Sequence, residues 1–379
     1  MLIGVDARMY GPKTAKGPGR YIKEVLDRLI QIDAENDFVV FLSRENFAEF
    51  QPQNPRVKKV LAPWRWYTLA EQLYFSRLIK KERVDFMWFP HFNVPIPYFG
   101  RYVVTIHDVL LRYHHSKRAT TLGPLKFFIK KILYRLTIYS AAKKAERIIA
   151  ISEFTRDEII KFYPFTKDKV VVTLEGIVER AKSEEKVDDE SALLRYNIAK
   201  PYIVYVGNSY PHKNLETLIK AFEILKQKWD GNLVLCGGRD YFYERLKNEF
   251  GDNEANTKSV QSGKIIFSGF IEDADLPAIY RNATLYVFPS LYEGFGLPPL
   301  EAMGEGVPVI CSDIPCLREI CAAAAEYFNP RDEKDMAEKI LALLVNPARR
   351  AGLRRAGFEQ IKKYSWDKCA KETKKIFNY

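Results

Sequence analysis

Two glutamates with seven residues between them, Glu293 and Glu301, lie in the run Pro289-Ser-Leu-Tyr-Glu-Gly-Phe-Gly-Leu-Pro-Pro-Leu-Glu-Ala-Met-Gly-Glu-Gly-Val-Pro-Val-Ile310. The run follows an apolar, strand-like stretch and opens a helical one. The amides of Gly294, Phe295, Gly296 and Leu297 therefore stand at a helix N-terminus, where unpaired N–H groups and the helix dipole favour a phosphate. Glycine at 294 and 296 lets a ligand approach the main chain closely. Glu293 falls on the loop and Glu301 inside the helix, so both carboxylates can face one cleft, one toward a sugar and the other toward a ribose. A single glutamate is by default a solvated side chain; the loop around this pair reverses that expectation.

A second loop, Gly207-Asn208-Ser-Tyr-Pro-His212-Lys213-Asn214, follows the apolar run Tyr202 to Val206 and precedes a helix beginning near Leu215. Diphosphates sit at such strand-to-helix turns of doubly wound sheets. Lys213 is thus a candidate cation, with Asn208 and His212 beside it, although an imidazole is a weaker and pH-dependent replacement for a guanidinium. His107-Asp108 closes the run Val103 to Ile106, at the carboxyl edge where open α/β sheets bind ligands. Neither residue has companions at metal-ligand spacing, and no Asp-x-Asp stands in a convincing metal-binding loop, so chemistry without a metal or cofactor is expected. Gly19 and Arg20 lie in Gly11-Pro-Lys-Thr-Ala-Lys-Gly-Pro-Gly-Arg-Tyr21, read as a glycine-rich turn ahead of a helix from Tyr21 to Ile32. Ser268-Gly-Phe270-Ile271, after the strand-like Ile265 to Phe267, is the candidate contact for a nucleobase. Ser152-Glu-Phe-Thr155 reads as a helix cap.

These residues need a scaffold of alternating strands and helices. Short β-rich runs at Leu2–Asp6, Phe38–Leu42, Val57–Leu61, Phe86–Phe89, Tyr102–Ile106, Ile148–Ile151 and Val170–Thr173 alternate with amphipathic stretches such as Thr68–Lys80. That is the pattern of a parallel sheet wrapped by helices. A second alternation runs through Tyr202–Val206, Leu233–Cys236, Ile265–Phe267, Leu285–Phe288 and Val307–Cys311, and the tail from Asp332 is helical. The expected organisation is an α/β domain over 1–178, a polar linker over 179–200, a second α/β domain over 201–363, and a terminal helix over 364–379 returning to the first domain. No G-x-G-x-x-G or Walker A loop is present, which disfavours dehydrogenases and P-loop enzymes.

The run from Glu293 to Glu301, with its E-G-F-G-L-P-x-L-E-A-M and the later G-V-P-V, resembles the E-x7-E signature of the family 4 retaining glycosyltransferases, and the other motifs follow in that family's order over nearly the whole chain. The resemblance implies a GT-B fold, two Rossmann-like doubly wound domains facing across a cleft, and a donor that is a nucleoside diphosphate sugar. It places Glu293 by the transferred sugar, Glu301 on the ribose, and the amides of Gly294 to Leu297 on sugar hydroxyls and the diphosphate. Lys213 matches the family's lysine, and His107 its histidine near the reacting carbon. Asn208, His212, Phe270 and Gly19 fall to the donor site; Arg20 and Asp108 fall to the acceptor site. His212 stands where the mannosyltransferase-like branch has arginine, and Pro18 where the usual G-I-G-R-Y has an apolar residue. The branch implies GDP-mannose; a UDP-sugar-dependent transferase and a non-catalytic nucleotide-sugar-binding protein stay open as alternatives. Front-face attack and a covalent intermediate are both compatible with retention.

The net charge of +11 is concentrated: residues 51 to 150 hold 19 Lys/Arg against 5 Asp/Glu, leaving the rest slightly acidic. Two basic-aromatic stretches, residues 64–83 and 116–139, fit helices lying on anionic lipid. They equally fit core helices with a solvated charged face. Nucleic acid is disfavoured for want of any recognised motif. The five cysteines form no C-x-x-C pair, and no signal sequence or membrane-long apolar run is present, so a cytoplasmic protein is expected, peripheral on the inner face of the plasma membrane if lipid contact holds. Its acceptor would then be a glycan or a lipid-linked saccharide.

Overall fold

The computed structural model describes residues 1–110, 124–177, 188–251 and 263–377, without the side chains of 12–16, 124–127, 129 and 130. Residues 116–123 of the second basic stretch and 179–187 of the expected linker lie outside the described residues. The chain forms two compact units, Met1–Gly176 together with Tyr364–Tyr379, and Ile177–Lys363.

The first unit is built on seven parallel strands: β1 (Leu2–Asp6), β2 (Asp37–Leu42), β3 (Val57–Leu61), β4 (Phe86–Phe89), β5 (Tyr102–Ile106), β6 (Arg147–Ala150) and β7 (Val170–Val172), in the order β3-β2-β1-β4-β5-β6-β7. The inner strands β4 and β5 are buried throughout, as parallel strands covered by helices on both faces must be, whereas edge strand β3 carries Lys58 and Lys59. Its helices are α1 (Pro12–Ile32), α2 (Ser76–Glu82), α3 (Pro124–Lys144) and α4 (Glu153–Phe162). A π-helical turn, Glu71–Phe75, leads into α2. Ser152 caps α4, its hydroxyl accepting from the Thr155 amide at 3.0 Å.

The start of α1 differs from the expectation. The glycine-rich turn is helical: α1 begins at Pro12, so Gly19 and Arg20 lie within it and Pro18 is inside the helix. Pro12 suits a first helical position, where the missing N–H would have had no partner. Gly19 lies against the carbonyls of Met9 and Gly11, so closely that a Cβ there would overlap both.

The second unit contains α5 (Asp189–Arg195), β8 (Tyr202–Val206), α6 (Leu215–Leu225), β9 (Asn232–Cys236), α7 (Tyr241–Phe250), β10 (Ile265–Gly269), α8 (Leu276–Arg281), β11 (Leu285–Phe288), α9 (Leu297–Gly304), β12 (Val309–Ser312), α10 (Pro315–Cys321), β13 (Ala325–Phe328), α11 (Glu333–Leu344) and α12 (Pro347–Ile361). Its six strands run parallel in the order β10-β9-β8-β11-β12-β13. Strand β13 was not legible in the sequence. Residues 189–195, read as linker, are instead a helix capped by Asp188, burying Ala192 and Leu193 and tied to α8 through Asp189 and Arg281 at 2.7 Å. The last helix, α13 (Trp366–Phe377), belongs to the first unit, where Trp366 meets Tyr21 with ring centroids 6.1 Å apart and Phe377 meets Trp88 at 5.9 Å.

Candidate active site

In the second sheet the strand order reverses between β8 and β11, the position at which doubly wound sheets bind ligands beyond their carboxyl ends. The loops leaving these two strands carry Lys213 and Glu293. They meet: Lys213 Nζ donates to Glu293 Oε1 at 2.6 Å, with the side chains only 12% and 13% exposed. The Leu291 amide donates to the His212 carbonyl at 2.8 Å, a main-chain rung between the same loops. Lys213 Nζ also stands 5.3 Å from the centre of the Phe288 ring at the end of β11.

Helix α9 opens at Leu297 behind Gly296, whose φ of 105° is a left-handed conformation that suits glycine, with Leu317 packed where a Cβ would go. Pro298 and Pro299 occupy the next two positions and have no N–H. Main-chain donors at this helix start are therefore confined to the residues up to Leu297. Phe295 is buried, and its carbonyl accepts from Cys316 Sγ at 3.1 Å. Glu301 is half-buried one turn inside α9. Both Glu293 and Glu301 act on the buried Tyr286 phenol of β11, which is pushed well above its ordinary range by burial first and then by neighbours that include these two carboxylates.

Asn208 accepts from the Tyr205 hydroxyl at 2.7 Å through its main-chain carbonyl. Phe270 is 60% exposed just past β10, after Gly269, whose amide donates to the Tyr243 hydroxyl at 2.6 Å. Arg239, which the sequence reading passed over, lies against Gly269, its Nε 3.2 Å from where a Cβ would stand. A cation after β9 is the signal that could have found it.

In the first unit, His107 stands at the end of β5. Its Nε2 is 2.9 Å from the Pro90 carbonyl, which can only accept, so Nε2 carries the proton. Nδ1 faces Glu175 Oε1 at 3.6 Å, and the Tyr21 ring meets the imidazole edge-on at 4.8 Å. Asp108 accepts from the Leu110 amide at 2.9 Å and so shapes the turn. Arg20 is half-buried in α1.

The sequence reading also missed a buried charged cluster at this edge. Arg8 forks onto Asp6 through Nε and Nη2, both at 2.7 Å, and Nη2 reaches Glu71 at 2.7 Å. Glu71 also accepts from Asn93 Nδ2 and from the Tyr67 amide, each at 2.6 Å. Burial raises its carboxyl above the usual range, against the pull of Arg8. Close by, burial, with the His107 ring and Arg8 adding, pushes His91 down to about 3. Among the described residues no three His, Cys, Asp or Glu side chains group as metal ligands would, and no helix is long and apolar enough to cross a membrane.

Comparison with known proteins decides the family. Residues 189–360 match the profile of the glycosyl transferases group 1, and residues 15–179 that of glycosyltransferase family 4. The chain is a family 4, group 1 glycosyltransferase. It is 28% identical to O-antigen chain mannosyltransferase B of Escherichia coli over 94% of each chain. It is also 28% identical to the O-antigen chain mannosyltransferase RfbU of Salmonella typhimurium, over 74% of this chain and 70% of that one. Among solved structures, sucrose-phosphate synthase from Thermosynechococcus elongatus superposes with a TM-score of 0.75 at 20% identity, covering 100% and 98% of the two chains.

Of the positions singled out in this glycosyltransferase, the second unit gathers Asn208, His212, Lys213, Glu293, Gly294 to Leu297 and Glu301 around the ends of β8 and β11, with Phe270 after β10. Gly19, Arg20, His107 and Asp108 belong to the first unit. Ser152 is accounted for by its cap. The enzyme is a hexosyltransferase by family, and the two relatives named above are mannosyltransferases of O-antigen chains.

Proposed function

We propose that this glycosyltransferase moves a mannosyl group from GDP-mannose onto a hydroxyl of a saccharide or lipid-linked saccharide in cell-envelope glycan synthesis, with retention of configuration and without a metal ion. The observation that carries this reading is the Lys213–Glu293 pair at the switch point beside the start of α9. The two O-antigen mannosyltransferase relatives favour mannose over the glucose or N-acetylhexosamine of UDP donors.

Breaking the bond between the sugar and the diphosphate leaves negative charge on the departing oxygen. Lys213, His212 and the amides of Gly294 to Leu297 meet that charge with fixed donors, a role a metal ion fills elsewhere. Glu293 orients the donor sugar and stabilises the positive charge developing on its ring, while Glu301 accepts from the ribose and Asn208 and Gly19 serve the donor. Phe270 offers a face to the base. His107, Arg20 and Asp108 are the first-unit contributions to sugar and acceptor. Retention follows from attack on the face the diphosphate leaves, a donor phosphate oxygen taking the acceptor proton, so Glu293 forms no covalent bond.

Helix α3 contains no acidic residue, and its outward side exposes Phe128, Ile132, Leu133, Leu136 and Tyr139. Apolar side chains among lysines and arginines fit an anionic lipid surface, which would hold a cytoplasmic enzyme at the inner face of the plasma membrane beside a lipid-linked acceptor.

The test is product analysis with GDP-mannose in excess EDTA. An α-mannoside product by NMR, formed at an undiminished rate, supports the reading; a β-mannoside, an EDTA-silenced reaction or turnover of UDP-sugars alone sinks it.

A further inference from the structure

Asn214, beside the proposed catalytic pair, joins three loops with one side chain. It follows Lys213 directly and precedes α6, with φ 60° and ψ 32°, a left-handed backbone that asparagine tolerates better than most residues. Its Nδ2 donates to the Pro289 carbonyl at 3.1 Å and to the Pro330 carbonyl at 2.6 Å. Its Oδ1 accepts from the Thr217 hydroxyl at 2.7 Å, and its own amide donates to the Pro211 carbonyl at 3.2 Å.

Pro289 begins the segment that leads to Glu293, directly after β11. Pro330 lies just beyond β13. The loop of Lys213 is thereby buckled to the loop of Glu293 and to a third loop that neither the signature nor the charges mark. Both amide hydrogens are used on separate loops, a task that no carboxylate or hydroxyl of similar size can perform.

We propose that Asn214 is a positioning residue whose clamp fixes Lys213 opposite Glu293 and so sets turnover rather than donor affinity. This rests on the reading of Lys213 and Glu293 as the donor site. In its ground state the donor keeps Glu301 and Phe270, neither of which the clamp touches. Lys213 matters most as charge builds on the departing diphosphate, so a displaced ammonium shows in kcat.

Asn214→Gly keeps the left-handed backbone and removes the clamp, and Asn214→Asp keeps size and the Thr217 bond but loses both donors. Each is purified and its fold checked by circular dichroism. It is then compared with wild type for kcat, donor KM with GDP-mannose and GDP affinity by calorimetry. A fall in kcat of about 10-fold or more, with KM and GDP affinity within about 3-fold, is the expected result. Turnover within about 2-fold of wild type, or KM and GDP affinity weakened as much as kcat, overturns the proposal, as does failure of both variants to fold. Glu293→Gln, assayed alongside, separates the two readings: if it turns over normally, the donor-site assignment has failed, whatever the Asn214 variants do.

Discussion

Replacing Lys213 by methionine removes a cation from a carboxylate that is only 13% exposed. At 2.6 Å the gross attraction is about 6 kcal/mol at an effective dielectric constant near 20. Most of it is offset by the desolvation of both groups, but removing one partner leaves the other buried and uncompensated, at a cost of about 3 kcal/mol. Glu293→Gln in the same chain abolishes the stranded charge, so the double variant should recover most of that loss. Activity should behave differently. A fixed donor aimed at developing negative charge is worth about 100- to 1,000-fold in rate, and the double variant cannot regain it. Urea unfolding and kcat for wild type, Lys213→Met, Glu293→Gln and the pair provide the cycle. Stability recovered in the double variant with activity still lost is the expected outcome. If the double variant is as active as Glu293→Gln alone, the lysine only neutralises its neighbour and the catalytic argument is refuted.

Three further outcomes follow from the geometry. Gly296→Ala places a Cβ on a residue with φ 105° and within 2.8 Å of Leu317 Cδ2, so GDP affinity should fall about 10-fold or more by calorimetry, at a stability cost of about 1–3 kcal/mol. His91, pushed down to about 3, stays neutral in the folded chain while the unfolded chain takes up a proton below about pH 6.5, so stability should fall as pH drops through that window, by about 1.4 kcal/mol per unit; His91→Asn should flatten that slope in urea titrations at pH 7 and pH 5. Trp366→Ala removes a buried ring packed on Tyr21 and should cost about 3–5 kcal/mol, read as an earlier thermal transition.

The sheets were legible because parallel strands buried on both faces read as short apolar runs; β1, β4 and β5 fall where Leu2–Asp6, Phe86–Phe89 and Tyr102–Ile106 suggest. Strand β13 escaped because Ala325-Glu-Tyr-Phe carries a glutamate and follows three alanines with no turn signal. The start of α1 was misread because glycine and two prolines locally favour a turn, whereas Gly19 is needed for close approach to the carbonyls of Met9 and Gly11. The E-x7-E loop could be seen because its chemistry is local. Contacts between distant loops could not: Lys213 meets Glu293 across 80 positions, and Asn214 reaches Pro330 across 116. The Arg8–Glu71 pair is hidden for the same reason, Arg8 following β1 and Glu71 opening the π-helical turn ahead of α2.

The most direct test of the account is nucleoside diphosphate release from GDP- and UDP-sugars by wild type and Glu293→Gln at equal folded concentration, with acceptor saccharides present. The account predicts release from GDP-mannose by wild type and at least about a 100-fold loss in the variant, with GDP still bound. Equal release by the two proteins would contradict it, because the Lys213–Glu293 pair would then not be where the sugar leaves its diphosphate.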